Sequence, residues 1–148
     1  MTVVKIQDTE FPDNLLYDVD NQIWYEPLPD GTARAGFTPL AISLAGDVLV
    51  FTPKRIGRDF EKARSFATIE CGKWIGSARA AFDGIVVSHN EQLVRRPELL
   101  NSDAFGQGWM LIVRPSRPDW QDGLVTGAGI EQAFSVWLQS EAYKDRSD

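Results

Sequence analysis

The sequence is poor in the residues that most often carry chemistry. One cysteine, Cys71, and one histidine, His89, occur in 148 residues. A single thiol excludes an internal disulfide and a multi-cysteine zinc site. A catalytic His89 would need a nucleophile or an orienting carboxylate, and no motif supplies either; beside Asn90 it reads as a turn residue. No apolar run approaches the roughly 18 residues of a membrane-spanning helix. The opening stretch "MTVVKIQDTEFPDN" has no apolar segment and no small-residue cleavage site, so no secretion signal is expected. Positive charge is in deficit: 15 Lys and Arg against 21 Asp and Glu give a net charge of −6. That balance favours solubility and argues against nucleic acid as the main partner. Together these absences lead to an expectation of a cytoplasmic protein with neither membrane nor nucleic acid among its partners.

What is present is a succession of short strand signals. "QIWYEPLPDGTARAGFT" reads as two strands joined at Pro29-Asp30-Gly31, where Asp-Gly supplies the turn chemistry. "GDVLVFTP", "SFATIEC", "WIGSARAAF", "GIVVSHN" and "GWMLIVRP" continue the series, with Asp83-Gly84 as a further turn. Many short strands with Gly and Asp turns predict an all-β fold. After Pro115 the pattern changes. Ile130, Ala133, Phe134, Trp137 and Leu138 fall on one helical stripe, which predicts an amphipathic C-terminal helix packed on the sheets. The expected layout is a single domain, 1–148. It has an N-terminal segment at 1–17 draped over the core, a β sandwich at 18–114, a loop at 115–129 and a helix at 130–143. Trp109, Trp120 and Trp137 read as core or helix-packing residues.

One stretch stands out: "IECGKWIG", from Ile69 to Gly76, puts Lys73 at the crown of a hairpin. Three readings are open. The lysine is a solvated turn residue; or it forms a Schiff base, which would need desolvation or a neighbouring cation that a Gly-Lys turn does not offer; or another enzyme modifies it. A modified lysine should protrude, sit on a tight hairpin and carry flanking recognition residues. Glu70, Gly72 and Trp74 suit that description.

The landmarks around Lys73 resemble those of the glycine cleavage system H protein family. That family's pattern is Glu-Ser-Val-Lys, a Gly eleven residues on, then an Asn, a Pro-Glu-Leu, an Asn and a Gly-x-Gly-Trp. Here Glu70 stands three before Lys73, Gly84 stands eleven after it, and "NEQLVRRPELLNSDAFGQGWM" follows from Asn90 to Met110. Upstream, Gly36, Gly46-Asp47 and Gly57 keep the same register, so the resemblance spans Trp24 to Arg114 without a gap. It implies a lipoyl-domain-like sandwich of two antiparallel sheets, a barrel-sandwich hybrid, with the modified lysine on a hairpin tip. It implies a carrier and not an enzyme, with lipoate covalently attached to Lys73 and Glu70, Gly72 and Trp74 as flanking or recognition residues. Biotinyl domains set their lysine between methionines, whereas Gly72 and Trp74 flank Lys73. The implied partners are a lipoate-protein ligase or lipoyl synthase and a dihydrolipoamide dehydrogenase.

The sequence also departs from that family. The typical His-Glu before Trp24 is Gln22-Ile23, and a common acid four after the lysine is Ser77. A cationic aminomethyl-loaded arm loses groups that would hold it. "CGKWIG" and "RAAFDG" are similar to lipoate-binding proteins of bacterial sulfur oxidisers, which implies a heterodisulfide-reductase-like complex as partner and sulfur intermediates as cargo. Glycine cleavage is the alternative expectation, and an unmodified interaction module the second. Cys71 either packs beside the hairpin or exchanges with the arm's sulfurs as a redox residue. Trp74 either shields the dithiolane or caps the hairpin. Arg95 and Arg96 form a solvated pair or a docking patch.

Overall fold

The structure is a computed structural model that describes residues 3–72 and 74–140. The chain opens with a hairpin of β1 (Val3–Ile6) and β2 (Thr9–Pro12), turned at Gln7 and Asp8, both with positive φ. That pair of left-handed residues is the signature of a tight turn matched to strand twist. A meander follows: β3 (Leu16–Asp18), β4 (Ile23–Pro27) and β5 (Ala33–Phe37). The β4–β5 turn forms where Asp30-Gly31 predicts it, with the Asp30 carboxylate accepting from the Thr32 amide and hydroxyl.

Helix α1 (Pro39–Ala45) comes next, capped by Thr38, whose Oγ1 accepts from the Ala41 amide at 3.2 Å. A Thr cap followed by Pro in the first turn is a strong helix start. The remaining strands are β6 (Val48–Pro53), β7 (Asp59–Phe60), β8 (Ser65–Cys71), β9 (Ile75–Arg79) and β10 (Gly84–His89). Two short helices, α2 (Glu91–Arg95) and α3 (Leu99–Ser102), lead to β11 (Leu111–Pro115), and α4 (Ile130–Leu138) closes the described chain.

The strands form three antiparallel sheets: β3-β4-β5-β11-β10-β7, β6-β8-β9 and β1-β2. The main core lies between the first two. Tyr25, Ala35, Val86 and Val113 from one sheet cluster with Phe51, Phe66, Ile69 and Ala78 from the other. A second core covers the outer side of the larger sheet, where Trp24 and Tyr17 meet Ile6 and Phe11 of the hairpin and Ile130, Phe134 and Trp137 of α4. Strand β4 belongs to both cores, since successive side chains point to opposite faces. Trp24 is 1% exposed and Tyr25 is fully buried.

The expected sandwich of two antiparallel sheets with a C-terminal helix is present, and among the described residues the N-terminal hairpin adds a third, two-stranded sheet. Other expectations change. The N-terminal segment is a hairpin plus β3, because α4 gives its apolar residues a surface to cover. The 18–114 stretch includes three helices, each too short to show a helical period. The 115–129 loop holds a turn of 3-10 helix at Gly127–Gly129 and a β-bridge from Val125 to Tyr17. Helix α4 stops at Leu138, where the Gln139 and Ser140 amides turn back to Val136 and Trp137 carbonyls. Residues 141–143 of the expected helix lie outside the described residues. Trp137 is buried, and Trp109 and Trp120 pack against the cores while partly exposed. His89 ends β10 and is not in a turn; its Nε2 lies 2.5 Å from Glu91 Oε1.

Two tests follow from the core. Gly36 pairs with Trp24, and a Cβ there would sit 2.7 Å from the indole, which is held in place by Nε1 donating to the Ala104 carbonyl. Gly36→Ala should therefore lose about 1–3 kcal/mol, read as a lower urea midpoint at unchanged slope; an unchanged midpoint would show that the ring moves freely. Cys71 is 8% exposed within the main core, and burial pushes its thiol above the ordinary range. Only the thiolate is nucleophilic. Iodoacetamide should label native Cys71 far more slowly than the urea-unfolded chain, and the gap should persist as pH passes the free-thiol pKa of about 8.5. The neutral thiol's stabilising contribution is present below that unfolded pKa and is lost as pH rises through the folded one.

Candidate functional site

The hairpin expected around Lys73 is β8–β9. Glu70 pairs with Ile75, Ile69 with Gly76 and Thr68 with Ser77. The Cys71 amide donates to the Trp74 carbonyl at 2.9 Å and closes the connection. Lys73 itself lies outside the described residues, but both of its neighbours are within them. Glu70 is exposed and sits in a cross-strand row between Val50 and Ile75, which are 42% and 68% exposed. A Cβ on Gly72 would meet nothing within 4 Å, so packing does not demand glycine there. Cys71 points into the core, away from any exchange partner in solvent.

Trp74 is 45% exposed, and its ring lies against Gly76, where a Cβ would come within 2.0 Å of Cζ3. The ring also walls a cavity of about 460 Å³ beside the open edge of β9. That volume is in the range of small-molecule pockets, roughly 300–1,000 Å³. Strand β9 contributes Gly76, Ser77 and Arg79 to it, and α1 contributes Ala41, Ile42, Leu44 and Ala45. Phe37 and Ile69 add further apolar surface, and Asn21 adds an amide.

The wall made by α1 is held by a buried latch. Gln22, with φ of 57°, donates from Nε2 to the Val19 carbonyl at 2.7 Å and accepts from Thr38 Oγ1 at 2.6 Å. The Thr38 amide donates to the Gln22 carbonyl at 3.0 Å. The latch ties the turn before β4 to the cap of α1. Asn21, in the same turn, donates from Nδ2 to Asp18 at 2.8 Å. Burial holds the Asp18 carboxyl above its ordinary range, while the Asn21 hydrogen bonds act in the opposite direction.

These facts define what the cavity can do. Among its lining residues Arg79 is the one charged group, with Nη1 donating to the Ala63 carbonyl at 3.2 Å. No carboxylate lines it, and Asp18 stands behind Asn21. Gln22 and Ile23, the positions expected near a loaded arm, are fully buried and outside the lining. No cluster of three or more metal-ligating side chains occurs among the described residues. The lining mixes apolar side chains with the Asn21 amide, the Ser77 hydroxyl and the Arg79 guanidinium, and it holds no carboxylate, histidine or thiol for acid–base work. Sequence reasoning singled out Trp74 and Ser77, and its motifs include Gly76 and Arg79, but it did not find Phe37, the α1 residues or the Gln22 latch. The Thr38-Pro39 pair was the available signal for α1. Arg95 and Arg96 do not join this site. Arg95 ends α2, and Arg96 Nε lies 3.2 Å from Glu98 Oε1 in an exposed pair of the kind that contributes little. No helix among the described residues is long and apolar enough to cross a membrane.

Comparison with known proteins places this geometry in a lineage. Residues 15–136 match the glycine cleavage H-protein family. Glycine cleavage system H protein 2 of Aquifex aeolicus is 36% identical over 132 residues, covering 88% of this chain and 81% of the relative. H protein 5 of the same organism is 37% identical over 121 residues, covering 79% of this chain and 81% of the relative. The crystal structure of a glycine cleavage system H protein from Mycobacterium marinum superposes with a TM-score of 0.73 at 25% identity, covering 86% of this chain and all of that one. The chain belongs to the glycine cleavage H-protein family, whose members are non-catalytic carriers that hold lipoate covalently on a lysine.

Proposed function

We propose that Lys73 is the lysine that carries the lipoate, and that the protein presents this arm in turn to the enzymes of a glycine-cleavage system. The observation that carries the reading is position. Lys73 falls between the paired strands β8 and β9, three residues after exposed Glu70 and next to the residue that walls the cavity. Lipoate supplies a dithiolane, and the protein supplies the platform. An amide on Lys73 removes its charge and lengthens the tether. Tethering raises the arm's local concentration at a partner site without tight binding. Glu70, between exposed Val50 and Ile75, is the group that an attaching enzyme, a lipoate-protein ligase or lipoyl synthase, would read. A dihydrolipoamide dehydrogenase reoxidises such an arm. The working compartment in this reading is the cytoplasm.

A second reading, the sulfur-carrying role with a heterodisulfide-reductase-like complex, is favoured by one observation. The cavity presents Arg79 and no carboxylate, which suits a neutral or anionic sulfur cargo better than a cationic one. The relatives' numbering, 2 and 5 in one organism, fits a family with more carriers than one pathway needs. Their shared name favours glycine cleavage over the sulfur role that the sequence motifs imply.

Intact-mass and peptide analysis after expression in a lipoate-competent host tests the attachment site. One lipoyl group should appear on Lys73, and Lys73→Arg should abolish it while changing stability by no more than about 0.5 kcal/mol. Glu70→Ala should slow the modification and leave the melting curve in place. Lipoyl mass on Lys54 or Lys62 would refute the assignment.

Complementation decides the pathway. A strain lacking its own glycine-cleavage H protein should grow on glycine at a normal rate once this chain is expressed and lipoylated. Full lipoylation without growth would transfer the conclusion to the sulfur reading.

A further inference from the structure

The outer face of the β6-β8-β9 sheet carries apolar surface where the lysine hairpin turns. The β6–β8 ladder pairs Val48 with Cys71 and Val50 with Glu70, so two steps on β6 meet one on β8 and Leu49 is a bulge residue. A bulge breaks the in-out alternation of a strand. Val48 and Phe51 are buried, while Leu49 and Val50 between them are 60% and 42% exposed. Regular alternation from Val48 would expose only one of that pair. Across the sheet Glu70 pairs with Ile75, which at 68% is the most exposed large apolar side chain among the described residues. Val50, Glu70 and Ile75 form the last rung before the Cys71–Trp74 hydrogen bond and the turn that holds Lys73. Exposed apolar groups gathered round one carboxylate are the mark of an interaction surface.

We propose that Leu49, Val50 and Ile75 form the docking face for the enzyme that acylates Lys73, a lipoate-protein ligase whose matching surface is apolar with one cation set against Glu70. The inference rests on the carrier reading above and adds the surface by which the attaching enzyme holds its substrate. Reach decides among the occupants. An unmodified lysine extends only a four-carbon stem from its backbone, so an enzyme acting on its amine must cover the residues beside the turn. A lipoylated lysine is far longer and delivers its ring to later partners without such close cover. In the attachment step Nζ, having given a proton to solvent, attacks the carbonyl of a lipoyl adenylate made from lipoate and ATP; the amide bond forms and AMP leaves. The attack requires the amine to be held against the carbonyl, and the rung next to the turn is the surface within reach to hold it. Glu70 sets the sense of docking, because a carboxylate between two apolar neighbours must be matched by a cation across the interface.

The test measures ligation kinetics on the unmodified full chain with purified lipoate-protein ligase, ATP and lipoic acid. The substrates are wild type, Leu49→Ser, Ile75→Ser and the double variant, with Val136→Ser as a control that is 60% exposed on α4. Surface substitutions of this kind should leave the melting curves in place. Leu49→Ser and Ile75→Ser should each raise the KM for the carrier about three- to tenfold with kcat nearly unchanged, the pattern of lost binding and not of lost chemistry. The double variant should lose more, and Val136→Ser should match wild type. Once modified, all should be oxidised equally fast in the dihydrolipoyl form by dihydrolipoamide dehydrogenase with its nicotinamide acceptor. An unchanged KM in the double variant, or an equal loss in the dehydrogenase step, would overturn the docking face and leave the carrier reading standing. A wild-type dimer that Leu49→Ser dissociates would overturn it too, by giving the face to a second copy. Absence of lipoyl mass in wild type would overturn both readings.

Discussion

Strand β4 joins the parts of this molecule. Its neighbouring residues Trp24 and Tyr25 face opposite ways, one into the outer core with α4 and the N-terminal hairpin, the other into the sandwich. Each is also tied by a polar group. Trp24 Nε1 donates to the Ala104 carbonyl at 3.1 Å, and the Tyr25 hydroxyl accepts from the Ala81 amide at 3.1 Å. Burial pushes the Tyr25 phenol far above its ordinary range, while the hydrogen bond from the Ala81 amide acts in the opposite direction. Bulky aromatics on both faces are tolerated because Gly36 across the ladder leaves room for one of them. Strand β5 pairs with β4, ends at Phe37 and passes directly into Thr38 and α1. The cavity wall therefore inherits its position from β4.

A carrier needs a rigid base and a weakly held arm. The base here is over-determined: two cores, a latch of Gln22 on Thr38, and a hairpin closed by the Cys71–Trp74 hydrogen bond. The cavity beside the hairpin is lined by both apolar and polar side chains, with Arg79 as its single cation. Gln22 and Ile23 are buried and serve the fold, and Arg79 is the one charged group in the cavity lining. Cys71, two residues before Lys73, is buried in the core, and burial pushes its thiol above the ordinary range.

Local signals were strong enough to read most strands from the sequence. Alternation along Phe66 to Cys71 and the Asp-Gly turns mark elements whose geometry depends on residues a few positions apart. The apolar stripe from Ile130 to Leu138 did the same for α4, though not its end, which is set by a local turn at Gln139 and Ser140 with no glycine or proline to announce it. The short helices α2 and α3 hold five and four residues, below the length at which a helical period separates from noise. The N-terminal hairpin turns at Gln7-Asp8, residues that enter the left-handed region less readily than glycine, so no turn signal was visible.

Spacing along the chain was sufficient to single out Lys73, because Glu70, Gly84 and the Asn-to-Trp run are separations in one dimension. It could also register that Gly36 and Gly84 matter, but not why. In the fold, Gly36 admits the Trp24 ring, and Gly84 lets the Arg114 carbonyl and Phe60 approach, with a Cβ at 2.6 and 2.8 Å. The cavity was beyond reach for the same reason. Its walls come from Asn21, Phe37, α1, Ile69 and the edge of β9, and they meet only because β5 delivers α1 against that edge. A pocket is a property of surfaces that face one another, and burial on two faces of one strand decides which surfaces those are.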